Sequence, residues 1–97
     1  MYNFNIEFEY DPGKSAANRL KHGISLEEVQ KLWLVSRIII QAHSVDEPRY
    51  MVIGRLEDKF YSCVFTMRGS VIRLISARRS RKEEELIYHE KIGQEED

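Results

Sequence analysis

The segment YMVIGRLEDKFYSCVFTMRGSVIRLISA, residues 50–77, contains three runs rich in β-branched and aromatic residues. The runs YMVIGRL, FYSCVFT and VIRLISA are separated only by EDK and MRGS. Connections this short join neighbouring antiparallel strands, because a parallel pair needs a crossover of a dozen residues or more. The segment therefore predicts a three-stranded antiparallel meander, around which the rest of the chain is organised.

Two further strands are predicted on the N-terminal side of the meander. Residues 4–10, FNIEFEY, alternate apolar and polar side chains, as in a strand with one buried face. Residues 37–42, RIIIQA, are β-branched and also predict a strand. The polar stretch HSVDEPR, residues 43–49, contains a proline and predicts a loop before the meander.

Two helices are predicted between these strands. Asp11 followed by proline can cap a helix start, and Gly23 can end that helix in a left-handed conformation. Ser25 with Glu28 three residues later forms a capping box for a second helix, whose apolar stripe consists of Leu26, Val29, Leu32 and Trp33.

A last helix is predicted after the meander, opened by a second capping box of Ser80 with Glu83. The predicted order is β-α-α-β-β-β-β-α, a small α+β domain with an antiparallel sheet packed against helices. Residues 1–93 are predicted to form a single domain, and residues 94–97, QEED, an acidic tail.

The composition describes one charged globular domain. Of the 97 residues, 42% are hydrophobic and 32% are charged, which excludes a disordered chain. The single cysteine, Cys63, excludes an internal disulfide, and its apolar surroundings predict a buried, inert thiol. We find neither a signal-peptide pattern nor a membrane span in the sequence, so we expect a cytoplasmic protein.

The charge is strongly polarised although the formal net charge is only −1. Residues 68–82 hold six cations and no acid, whereas residues 83–97 hold seven acids and one lysine. Arg81 and Lys82 fall in the first turn of the predicted last helix, which is the positive end of its dipole. Cations are unfavourable at that end unless an anion offsets them. Their placement therefore predicts an anion site, most simply for phosphate, formed with Arg78 and Arg79. The alternative is that the acids at residues 83–85 neutralise these cations locally.

Strand alternation raises one difficulty for a single basic site. Arg73 and Arg78 lie five residues apart, so in a regular strand their side chains point to opposite faces. As a surface cation, Arg78 is expected to tolerate replacement by alanine with a stability change within about 1 kcal/mol.

Three separated stretches resemble the BrnT family, the ribonuclease toxins of type II toxin–antitoxin pairs. They are FEYDPGKSAANRLKHGISLEE, RYMVIGR and FTMRGSVIRLISARRSRKEEE, at residues 8–28, 49–55 and 65–85. The resemblance implies a RelE-like fold, a bacterial endoribonuclease that inhibits translation, and an antitoxin that carries a ribbon-helix-helix DNA-binding segment. In such families the complex also represses its own operon, so operator DNA is reached only through the antitoxin.

The basic and polar signature of that family falls on Asp11, Lys14, Asn18, Lys21, His22, Gly23, Arg49, Gly54, Arg68, Gly69, Arg73, Ser76, Arg78 and Arg79. Two positions depart from it. Many relatives have tryptophan where this chain has Tyr10, and an acid where it has Met67. If that acid transfers a proton in relatives, this chain lacks it.

Metal-free RNA cleavage needs a base for the 2′-OH proton, cations for the charge that develops on the phosphate, and an acid for the leaving oxygen. Arginine cannot be the base because it stays protonated. We therefore assign Arg49, Arg68, Arg78 and Arg79 to transition-state stabilisation and His22 to proton transfer. The alternative for His22 is electrostatic stabilisation of a helix end.

RNA binding along the phosphate backbone is assigned to the remaining cations, which are Lys14, Lys21, Arg73, Arg81 and Lys82. The sequence has no metal-ligand pattern and no phosphate-cradling glycine loop, so we predict neither a metal nor a cofactor. Two other functions stay open: a non-catalytic module that binds nucleic acid or a partner with the same basic face, and a structural subunit whose cations pair with its acids. Met67 favours the binding module, and His22 favours the enzyme.

Overall fold

The computed structural model describes residues 6–96, with side chains described as far as residue 93. The elements are β1 (Glu7–Glu9), α1 (Pro12–His22), a 3₁₀ helix (Glu28–Leu34), β2 (Arg37–Ala42), β3 (Arg49–Leu56), β4 (Lys59–Arg68), β5 (Val71–Arg79) and α2 (Lys82–Glu96). The predicted α+β class and element order are confirmed, with a 3₁₀ helix as the second helix. Residues 4 and 5 of the predicted first strand, and the side chains of the predicted acidic tail, lie outside the described residues.

One five-stranded sheet organises the domain, in the spatial order β1-β5-β4-β3-β2. The meander β3-β4-β5 is antiparallel, as predicted, and β2 adds antiparallel to β3. The prediction of an antiparallel sheet is wrong at one edge, because β1 pairs with β5 in parallel. No hairpin joins these two strands, and the intervening helices and strands provide the long connection that a parallel pair needs.

The sheet separates two apolar clusters. The larger cluster lies between the sheet and the first two helices, and it includes the predicted stripe of Leu26, Val29, Leu32 and Trp33, all at most 7% exposed. Trp33 stacks edge-on between Phe8 and Phe65, at centroid distances of 5.2 and 5.3 Å. The smaller cluster lies on the opposite face, where Tyr88 of α2 packs on Phe60. Burying each such side chain contributes on the order of 2 kcal/mol.

A β-bulge interrupts the pairing of β4 with β5. Val64 pairs with Ser76, but the next residue of β4, Phe65, pairs with Leu74. Ile75 is therefore the extra residue of β5 and has no direct partner on β4. An extra residue of this kind reverses the side-chain alternation beyond it.

The bulge places Arg73 and Arg78 on the same face of the sheet. Ile72, Leu74 and Ala77 all belong to the larger cluster, although regular alternation would turn Ala77 to the other face. Arg73 lies between Ile72 and Leu74, and Arg78 directly follows Ala77, so both arginines point to the opposite face. The prediction that these two arginines point to opposite faces is wrong, because it assumed a strand without a bulge.

The capping contacts predicted for the first two helices are confirmed. The Asp11 side chain accepts a hydrogen bond from the Lys14 N–H at 3.0 Å, and α1 ends at Gly23, whose φ is 78°. Ser25 and Glu28 form the predicted capping box, with both hydrogen bonds at 2.9 Å. Asp11 thus fixes the start of α1, whereas the Ser25 box lies in the turn at residues 26–27 that leads into the 3₁₀ helix at Glu28.

The third helix start differs by one residue from the prediction. Glu84, not Glu83, reaches back to accept the Arg81 N–H at 2.9 Å. The Ser80 hydroxyl instead shares a 2.7 Å hydrogen bond with the Ser62 hydroxyl on β4. The predicted box of Ser80 with Glu83 is wrong because both Ser80 and Glu84 form hydrogen bonds with Ser62 on β4.

No helix within residues 6–96 is long and apolar enough to cross a membrane.

Candidate functional site

A depression of about 180 Å³ lies at the end of the sheet where β3 begins and the β4–β5 hairpin turns. It is lined by Asp11, Lys14, Glu47, Arg49, Thr66, Arg68, Arg73, Leu74 and Ile75. Four of the ten predicted site residues meet here, namely Lys14, Arg49, Arg68 and Arg73. Each comes from a different element, so only the tertiary fold brings them together.

Local structure fixes the walls of the depression. Gly69 has a φ of 62° and lets the chain turn tightly after Arg68, which is the last residue of β4. On the other side, the Thr66 hydroxyl donates a 2.7 Å hydrogen bond to the Pro48 carbonyl. This bond ties the loop before β3 to the end of β4, so Arg49 enters the depression from a restrained position.

The four cations of the depression differ in how closely each is paired with a carboxylate. Arg73 donates a 2.9 Å hydrogen bond to Glu9, its register partner on β1. Arg49 has only a loose ion pair, 3.7 Å from its Nη2 to Oε2 of Glu47. Lys14 and Arg68 are exposed and form no ion pair with any residue of the described part of the chain. The depression thus offers two cations that are available to an anion.

One buried donor in this depression has no partner. Nε of Arg49 is inaccessible to solvent and has no hydrogen-bond acceptor among the described residues. A buried N–H group without an acceptor costs about 1–3 kcal/mol relative to a satisfied one. The Arg49 side chain as a whole is 40% exposed, so an oxyanion beside it would contact the exposed part of the guanidinium and not this Nε.

Two carboxylates also line the depression. Asp11 belongs to the family signature but had no role in the site predicted from the sequence, and Glu47 was not singled out there. Asp11 caps α1 with Oδ1, so it is partly occupied by a structural role. Glu47 belongs to the loop before β3, and its side chain is 38% exposed. The only signal in the sequence was that Glu47 lies two residues before Arg49.

Arg78 lies on the same face of the sheet, but it does not line the depression. Its side chain is 25% exposed and pairs with Glu84. The Glu84 carboxylate also accepts the Ser62 hydroxyl at 2.8 Å and the Arg81 N–H at 2.9 Å. The expectation that Arg78 is a free surface cation is wrong, because the guanidinium is held in a mostly buried ion pair.

The other predicted cations of the β5–α2 junction are dispersed. Arg79 is exposed on the face of the larger cluster, with its guanidinium carbon 5.9 Å from the centre of the Tyr61 ring. Arg81 and Lys82 are exposed at the start of α2 and do not line the depression. The six cations of residues 68–82 therefore do not form one site.

His22 and Lys21 lie at the far end of α1 from the depression. Lys14 and His22 are eight residues apart, which corresponds to about 12 Å along a helix axis. Neither His22 nor Lys21 lines the depression. The half-buried His22 is the last residue of α1, where a cation would interact favourably with the helix dipole.

Two further sequence inferences concern reactive groups. Cys63 is fully buried, and burial raises the pKa of its thiol, as expected of an inert cysteine. Within residues 6–96 no three His, Cys, Asp or Glu residues are placed to hold a metal ion. Met67 is 44% exposed and Tyr10 packs at the edge of the larger cluster.

The chain matches a known protein family. A family model described as "Ribonuclease toxin, BrnT, of type II toxin-antitoxin system" matches residues 10–84, which is more than half of the chain. The matched range includes all four cations of the depression and both of its carboxylates. No curated protein matches the chain.

Proposed function

The chain belongs to the BrnT family of ribonuclease toxins of type II toxin–antitoxin systems, and we propose that it is a metal-independent endoribonuclease. Membership of this family implies an RNA target and an antitoxin partner. In the proposed reaction the 2′-OH of a nucleotide attacks the adjacent phosphate and releases a 2′,3′-cyclic phosphate end and a 5′-OH end.

The observation that carries this proposal is the convergence of Lys14, Arg49, Arg68 and Arg73 on one depression. A phosphate that undergoes attack gains negative charge on its oxygens, and fixed cationic donors stabilise that charge. One well-placed donor of this kind is worth about 3 kcal/mol. The protein thus supplies from its own side chains the charge that a bound metal supplies elsewhere.

The roles of the four cations follow from how each is held. Arg73 is fixed by its ion pair with Glu9, and Arg49 has a partly exposed side chain on a restrained backbone, so both are suited to orient the scissile phosphate. Lys14 and Arg68 are exposed and unpaired among the described residues, so they are suited to bind flanking phosphates. His22, Lys21, Arg79, Arg81 and Lys82 would contact only RNA that extends beyond the depression.

The biological setting is proposed from the family resemblance. RNA cleavage would inhibit translation in the bacterial cytoplasm. A cognate antitoxin with a ribbon-helix-helix segment would block the toxin and carry the complex to operator DNA.

The test is cleavage of a long single-stranded RNA by the purified protein, free of antitoxin, with EDTA present throughout. We expect cleavage with 2′,3′-cyclic phosphate ends, and loss of that cleavage in the double variant Lys14→Ala, Arg68→Ala. The matched control is Lys31→Ala, Arg37→Ala, which removes two exposed cations outside the depression. RNA that stays bound to the wild type but intact, also on translating ribosomes, would contradict the proposal and favour a non-catalytic binding module.

A further inference from the structure

We propose that Glu47 is the general base that takes the proton of the attacking 2′-OH. This inference rests on the proposed function, because it names the proton acceptor for the same reaction. It differs from the sequence prediction, in which His22 transfers protons. Three properties of the depression support it: the chemistry of its lining groups, the structural role of Asp11 and the setting of Glu47.

Most groups that line the depression cannot accept a proton. Arginine stays protonated and offers only donors, and lysine serves as a base where it is buried, whereas Lys14 is exposed. The Thr66 hydroxyl is engaged as a donor to the Pro48 carbonyl. The two carboxylates, Asp11 and Glu47, are the remaining acceptors on the side chains that line the depression.

Asp11 is the weaker candidate of the two. Its Oδ1 accepts the Lys14 N–H and caps α1 at the point where the chain leaves β1. A capping side chain of this kind typically contributes about 1 kcal/mol to helix stability, so Asp11 already has a structural role. A base that must be protonated during each turnover is poorly placed in such a cap.

Glu47 has the free carboxylate oxygens and the accessibility that a base requires. Its contact with Arg49 is 3.7 Å long, beyond hydrogen-bond range, and its oxygens accept no hydrogen bond from the described residues. The side chain is 38% exposed, so RNA can reach it. The Thr66 to Pro48 hydrogen bond restrains the loop that carries Glu47 against the cations of the depression.

The proposed step transfers one proton and exchanges one bond to phosphorus for another. The 2′-O–H proton passes to the Glu47 carboxylate while the 2′ oxygen forms a bond to phosphorus. The bond from phosphorus to the 5′ oxygen breaks, and the departing oxygen takes a proton from water. The protonated Glu47 then returns its proton to the solvent, so no metal, oxidant or reductant is consumed.

The experiment measures single-turnover cleavage and RNA binding separately for Glu47→Gln. We expect cleavage to fall by about 100-fold or more, within the range that a general base contributes. Binding of a 2′-O-methyl RNA, which lacks the nucleophile, should be unchanged or tighter because a negative charge is lost. The neighbouring variant Asp46→Asn is the control, since Asp46 is exposed and does not line the depression, and it should cleave within about twofold of the wild type.

The pH profile distinguishes a base from a positioning residue. The wild-type cleavage rate should rise with pH over the acid limb as the carboxylate loses its proton, and Glu47→Gln should lose that limb. Glu47→Asp should recover part of the rate and the limb. A variant that loses binding and cleavage in the same proportion, with the limb unchanged, would overturn the proposal and leave Glu47 as a residue that positions Arg49.

The remaining outcomes separate this inference from the function on which it rests. Wild-type cleavage with cyclic phosphate ends, together with Glu47→Gln cleavage within about threefold of it, would overturn the role of Glu47 alone. Absence of wild-type cleavage on free RNA and on ribosomes would overturn both.

Discussion

Arg78 and Glu84 share two parallel hydrogen bonds, from Nη1 to Oε1 at 2.9 Å and from Nη2 to Oε2 at 2.7 Å. Glu84 is 8% exposed, and its carboxylate also accepts from Ser62 on β4 and from the N–H of Arg81. One buried carboxylate thus joins β4, β5 and the start of α2. The charge at the β5–α2 junction is explained in part by this structural role.

Replacing Arg78 should destabilise the fold. Arg78→Ala leaves the buried Glu84 carboxylate without its cation, and we expect a loss of about 2–4 kcal/mol in the free energy of unfolding. Urea denaturation measures it. Arg79→Ala is the matched control, since Arg79 is exposed and its ring contact with Tyr61 is worth about 1 kcal/mol or less. Equal, small losses in both variants would contradict the structural role. If Arg78→Ala loses toxicity, the loss of stability has to be measured first, because an unfolded toxin is also inactive.

The same ion pair predicts the acid sensitivity of the fold. Burial alone would raise the pKa of Glu84, but the hydrogen bonds from Arg78, the Arg81 N–H and Ser62 outweigh it and hold the pKa at about 2. Because this pKa lies below the ordinary value of 4.5, Glu84 stabilises the fold above about pH 4.5, and that stability is lost as the pH falls towards 2. The gap in unfolding free energy between wild type and Glu84→Gln should shrink by up to about 3 kcal/mol across this window. A gap that stays constant from about pH 5 to about pH 2 would contradict the prediction.

Asn18 should be a structural residue rather than an RNA contact. Its amide nitrogen donates to the carbonyls of Ile24 and Ala77 at 2.8 and 2.7 Å, and its oxygen accepts the Ala77 N–H at 3.2 Å. The pairing of β1 with β5 ends at Arg73, so Asn18 replaces a strand partner at Ala77. Asn18→Ala should cost about 2–4 kcal/mol of unfolding free energy, because three backbone groups lose their partners.

A neighbouring variant controls for the loss of any polar side chain from α1. Arg19→Ala breaks the exposed pair of Arg19 with Glu28 and should cost at most about 1 kcal/mol. Thermal unfolding of both variants measures the difference. An Asn18→Ala protein as stable as Arg19→Ala would contradict the assignment.

The salt dependence of RNA binding should report the phosphate interactions of the depression. For a single-stranded, 2′-O-methyl RNA, removing one cation that binds a phosphate should lower the slope of log affinity against log salt by about 0.7. We expect this decrease for Lys14→Ala and for Arg68→Ala, measured by fluorescence anisotropy over a range of KCl concentrations. Lys31→Ala should leave the slope unchanged, and an equal decrease in that control would indicate diffuse binding without a site.

The β3–β4 turn contains a residue, Glu57, whose backbone strain a substitution can relieve. Glu57 has a φ of 59°, a left-handed conformation that costs a residue with a side chain about 1–2 kcal/mol. Glu57→Gly should therefore stabilise the protein by about 0.5–1 kcal/mol after the added backbone entropy of glycine is subtracted. Asp58→Gly, at the adjacent position without a positive φ, should destabilise it, and chemical denaturation should show the opposite signs.

Much of the fold was predictable because its signals are local. The short turns of residues 50–77 fixed the meander, Asp11 fixed the start of α1, and the Ser25–Glu28 box formed just before the 3₁₀ helix. The parallel edge strand was not predictable in this way, because pairing of β1 with β5 depends on contacts between distant residues. The third helix start was mispredicted for the same reason. Glu84 caps α2 because Arg78 and Ser62 hold its carboxylate in place, and its spacing from Ser80 does not indicate this.

The candidate site divides along the same line. The sequence by itself determined the family, the element order and the supply of cations, since these depend on residue identity and near-neighbour spacing. Only the tertiary structure decided which cations meet, because the bulge at Ile75 resets the alternation of β5 and the ion pair with Glu84 removes Arg78 from the free charges. Glu47 enters the depression for the same physical reason: its loop is held by a hydrogen bond between Thr66 and Pro48, a contact across 18 residues that no local pattern specifies.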